Sequence, residues 1–67
     1  MERFELSSNQ ELDAKLWLAY RDYIKDRSDN WYAGIFEGFV DAYLTVTHLH
    51  LSEVMDALIA ERTRENV

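Results

Sequence analysis

The stretch N-W-Y-A-G-I-F-E-G-F-V-D-A-Y-L, Asn30 to Leu44, decides the fold. Trp31, Tyr32, Ile35, Phe36, Phe39, Val40, Tyr43 and Leu44 recur at steps of three and four, the period of a helix with one wide apolar face. The face is wider than one helix contact requires, so this is the central helix and it meets more than one neighbour. The spacing predicts a helix over about 31 to 47, capped by Asp29 or Asn30. Both glycines of the chain, Gly34 and Gly38, fall inside it.

Upstream, Ser8 followed by Glu11 has the form of a capping box. Leu12, Leu16, Ala19, Tyr20, Tyr23 and Ile24 then draw an apolar stripe, with Asp13, Lys15, Asp22, Lys25 and Asp26 read as lying largely off it. The first helix is expected at about 9 to 27, behind a loose arm, residues 1–7, that docks through Phe4 and Leu6. Downstream, T-V-T-H-L-H-L-S is ambiguous, because β-branched residues weaken a helix without forbidding one. Ser52 reads as an N-cap, and Leu51, Val54, Met55, Leu58 and Ile59 form a last stripe. The third helix is expected at about 52 to 64, with Arg62 and Arg64 at the end that favours cations. One continuous helix from 31 to 64 is the alternative. The fold class is therefore all-α: a single three-helix domain spanning 1–67, expected to dimerise.

Length explains the dimer expectation. At 67 residues a lone core has little margin, since ordering each residue costs about 1.5 kcal/mol and nearly cancels the gain from burial. No cysteine is present, which removes disulfides and thiolate metal sites. Apolar residues are 48% of the chain, enough to leave an apolar patch on a monomer. Interior glycine costs about 1 kcal/mol against alanine. Positions 34, 38, 41 and 45 lie near one line of the helix, so Gly34, Gly38 and Thr45 fit close approach of a second helix. That helix is the first helix of the same chain or a two-fold copy of the second; the remaining alternative is a groove for something else. If that face is buried, Asp41 is buried with it and needs a partner: Tyr20, Tyr23, the Trp17 Nε1–H or a cation.

Charge narrows the partner. The net charge is −6 and the isoelectric point is near 4.6, which disfavours phosphate backbones. Residues 28 to 60 hold Asp29, Glu37, Asp41, Glu53 and Asp56 but no Lys or Arg. V-T-H-L-H-L-S-E-V-M-D-A-L has the rhythm of a helix-turn-helix, yet its second helix opens on acids that would repel DNA. Glu37, Asp41 and His48 share one helical sector and are the weak metal candidates. They lack the spacing of established metal motifs, so no cofactor is expected. Ser7, Ser8, Ser28 and Ser52 sit where caps and breaks explain them, and no glycine-rich phosphate loop is present, so no enzyme chemistry is expected.

The run G-F-V-D-A-Y-L, Gly38 to Leu44, resembles a phrase in a family of small periplasmic immunity proteins, over about seven residues. The cysteines and signal peptide of that family are missing here. No apolar run reaches the roughly 18 residues of a membrane span, and M-E-R-F-E-L-S-S is not a secretion signal, which points to the cytosol. The expected function is a non-catalytic, acidic regulator or inhibitor of the kind carried by bacteria and phages. It would occupy a partner protein, for example at a basic nucleic-acid-binding groove, with Trp31, Tyr32 and Phe36 as anchors and Glu37, Asp41, Glu53 and Asp56 as the charged surface. A structural subunit or adaptor of a larger assembly, and a metal-dependent regulator, are the rivals.

Overall fold

The computed structural model describes residues 4–65. It is three α-helices in sequence: α1 (Gln10–Lys25), α2 (Asn30–Thr47) and α3 (Leu51–Glu65), with no strand among the described residues. The all-α expectation therefore holds, with each helix within two residues of the predicted ends. No helix is long and apolar enough to cross a membrane, among the described residues.

The ends have local causes. Asn9, not Ser8, caps α1: its side chain accepts the Leu12 N–H at 3.0 Å. Asp29 caps α2 by accepting the Trp31 N–H at 2.9 Å. His48 ends α2 in the left-handed conformation, φ 60°, and its N–H returns to the Leu44 carbonyl at 2.9 Å. A left-handed residue cannot continue a helix, so the single helix from 31 to 64 is excluded. The Thr47 hydroxyl steadies the turn by donating to the Tyr43 carbonyl at 2.7 Å. α3 then starts at Leu51, with the Val54 N–H on the His50 carbonyl. Ser52 lies inside α3 and is not its cap.

α1 and α2 form the closest helix pair. Leu16, Tyr43, Val54 and Leu58 are fully buried, so all three helices feed one core. A chain of aromatic rings runs through it. Phe4 stacks on Trp17 (5.8 Å), Trp17 meets Tyr20 (5.9 Å), Tyr20 meets Phe36 (5.4 Å), and Tyr23 stacks on Phe36 (5.3 Å). Each such pair adds about 0.5–1.5 kcal/mol beyond its burial.

The N-terminal segment is not loose over the residues described. Phe4 is buried, and Leu6 and Ser7 are tied to α1 through Asp13. Asp13 is fully buried although read as off the stripe. It lies three residues before Leu16 and four before Trp17, on the buried line itself.

Candidate functional site

Asp13 is the most unusual group in the chain, and sequence reasoning assigned it nothing. Its carboxylate accepts the Leu6 N–H (2.9 Å), the Ser7 N–H (3.1 Å to Oδ2), the Ser7 hydroxyl (2.7 Å) and the Tyr43 hydroxyl (2.6 Å). No cation is in this set. Burial pushes the carboxyl upward, but the bonds from the Leu6 amide, the two hydroxyls and the Ser7 amide outweigh it, and it ends below the usual Asp value. Tyr43 moves the other way: burial, reinforced by the bond to Asp13, raises its hydroxyl to about 12. Both groups thus hold their protonation states across neutral pH, and both are sealed in the core. That is the chemistry of a structural clasp joining the N-terminal segment, α1 and α2, not of an acid–base pair open to substrate. The stripe position of an acid, with a tyrosine on the partner helix, was the signal available in sequence.

The surface residues sort differently from expectation. Gly34 and Gly38 are exposed, and a Cβ on either would meet nothing within 4 Å. The first helix of the same chain therefore does not pack on them. Asp41 is exposed as well, so it needs none of the buried partners suggested for it. Thr45 ties its hydroxyl to the Asp41 carbonyl of its own helix at 2.9 Å. Together with Trp31 (72% exposed), Ile35 and Val46, these residues make an outward face of α2 on which Asp41 is the charged member.

Phe36 is buried in the core and is not a free anchor; Tyr32 is half-buried. Phe36 does form the floor of a groove of about 370 Å³. One wall of that groove is α2, with Ala33, Glu37, Val40 and Asp41; the other is α3, with Leu51 and Met55; Tyr23 of α1 also lines it. Leu51 is 54% exposed there. The structure thus brings Phe36, Glu37 and Asp41 together on one groove. Glu53 and Asp56 are exposed on α3 but do not line it.

The metal candidates do not converge. Glu37 and His48 are eleven positions apart, about 16 Å along a helix, and no group of His, Asp and Glu suited to a metal is found among the described residues. No family model, curated protein or solved structure matches this chain.

Proposed function

We propose that this chain is a non-catalytic protein-binding regulator, and that the groove between α2 and α3 is its contact. One observation carries the reading. An apolar floor and wall, Phe36, Val40, Leu51 and Met55, lie beside two exposed carboxylates, Glu37 and Asp41, on a single concave surface. Such a surface suits a short amphipathic segment of a partner, with an apolar side chain in the groove and Lys or Arg on the carboxylates. The net charge of −6 assists the encounter with a basic partner.

The test uses a synthetic amphipathic peptide with leucines on one face and lysines on the other, followed by fluorescence anisotropy. The chain should bind it, and a version with glutamates for lysines should not bind. A double variant, Glu37→Lys with Asp41→Lys, should lose roughly tenfold or more in affinity. Equal affinity for both peptides, or no loss in the variant, would refute the reading.

A second reading is favoured by the outward face of α2. Two interior glycines meet no neighbour among the described residues, yet sit beside the exposed Trp31, Ile35 and Val46, with Asp41 on their other side. A second copy of α2 pairing there would bury that surface and explain the glycines. Light scattering across concentration tests it: a dimer whose mass resists high salt supports it, and a monomer at all concentrations refutes it. The groove adjoins that face at Asp41 but otherwise uses other residues of α2, so the two readings can both hold.

A further inference from the structure

A cleft between α1 and α3 gathers positive charge in this acidic chain. It has a volume of about 310 Å³ and is lined by Trp17, Arg21, Ile24, Lys25, Arg62 and Glu65. Three of the seven basic residues therefore meet at one place. Arg21 and Lys25 are four apart on α1, a like-charge spacing that weakens a helix. Arg62 faces them from the last turn of α3. None of the three makes an ion pair or a side-chain hydrogen bond among the described residues, in contrast to Lys15 with Glu11 and Arg64 with Glu61.

The carbonyls at the helix ends account for part of this. Lys25 and Arg62 lie in the last turns of α1 and α3, where cations are favoured. Arg21 lies a full turn earlier and has no such reason. The floor of the cleft adds a second observation. Trp17 is 9% exposed and its indole N–H has no partner among the described residues, yet no sealed side-chain nitrogen among them is left without one, so water reaches it. Trp17 and Ile24 supply an apolar bed beside the cations.

We infer that this cleft binds a small organic anion, a carboxylate on an apolar body. Arg21, Lys25 and Arg62 would hold the carboxylate, and the body would lie on Trp17 and Ile24. Glu65, the last residue of α3, also lines the cleft and would disfavour ligands with a second negative charge on that side.

The test is a titration of the full chain with sodium benzoate, sodium acetate and sodium chloride at matched ionic strength, followed by the indole N–H resonances. Trp31, exposed on α2, is the internal control. Benzoate should shift the Trp17 signal saturably and leave Trp31 unmoved, with acetate binding at least about threefold more weakly for want of an apolar body. The exposed or half-exposed changes Arg21→Gln and Arg62→Gln should keep the fold and abolish saturation. The inference is overturned if benzoate gives no saturable shift, if chloride reproduces it, or if the two variants respond as the parent does.

Discussion

Replacing Gly34 and Gly38 by alanine should stabilise the folded monomer. Both residues lie inside α2 with ordinary helical backbone, since no glycine has a positive φ among the described residues. A Cβ on either would enter open space. Nothing in the folded chain therefore opposes alanine, and what remains is the loss of glycine's freedom in the unfolded state. That difference is about 0.4–1 kcal/mol per site, so the double variant gains about 1–2 kcal/mol. For a domain of this size each kcal/mol moves Tm by about 4–8 °C, which gives a rise of about 5–15 °C. Circular dichroism melts of the parent, the two single variants and the double variant, at micromolar concentration, would measure it. If α2 pairs with a copy of itself, the same substitutions should lower the concentration dependence of Tm, because alanine holds the helices apart. A fall in Tm at the lowest concentration would refute the reasoning: the glycine face would then be packed within the monomer.

The clasp carries further predictions. Asp13→Ala leaves the buried Tyr43 hydroxyl and two amides without their acceptor, at a cost of at least about 3 kcal/mol. The whole domain holds on the order of 3–10 kcal/mol, so this variant should show a shallow, non-cooperative urea transition. Tyr43→Phe removes one bond and should cost about 1–2 kcal/mol in urea midpoint. Because Asp13 is held below its ordinary value in the folded chain, its contribution is intact above about pH 4 and is lost as pH falls through the folded value; urea midpoints at pH 7 and pH 3 should show the drop. Tyr43 gives the mirror case, with its contribution intact below pH 10 and lost as pH rises through about 12. His48→Gly relieves a left-handed residue and should add up to about 1 kcal/mol, read from the same melts.

How far the sequence reached can be judged residue by residue. Local signals were legible: the cap at Asp29 or Asn30, the stripe of α2 and the approximate limits of three helices follow from periodicity, whereas the caps read at Ser8 and Ser52 fall instead on Asn9 and inside α3. What depended on which element returns to cover which face was not. Whether Asp13 or Asp41 is the buried acid turns on the N-terminal segment, which folds back over α1 and supplies two amides and a hydroxyl to Asp13. No local pattern around Asp13 announces those donors, although its place on the Leu16–Trp17–Tyr20 line marks it for burial. The glycines misled for the same reason. Their cost in the helix argued for a close neighbour, but the neighbour within the chain lies on the opposite face of α2. His48 shows the limit of propensity: a histidine takes the left-handed position that glycine usually fills, so the break between α2 and α3 has no glycine to mark it. Of the surface residues, Glu37 and Asp41 lie on the groove, whereas Phe36 is its floor and Glu53 and Asp56 lie outside it.

The measurement that bears most directly on the proposed function is chemical-shift mapping of the chain with the leucine–lysine peptide, at low and high salt. The groove reading predicts that the largest changes fall on Ala33, Glu37, Asp41, Leu51 and Met55, and that they fade as salt rises while Trp31 stays in place. Changes centred on Trp31, Ile35 and Val46 instead, with the groove residues silent, would contradict it.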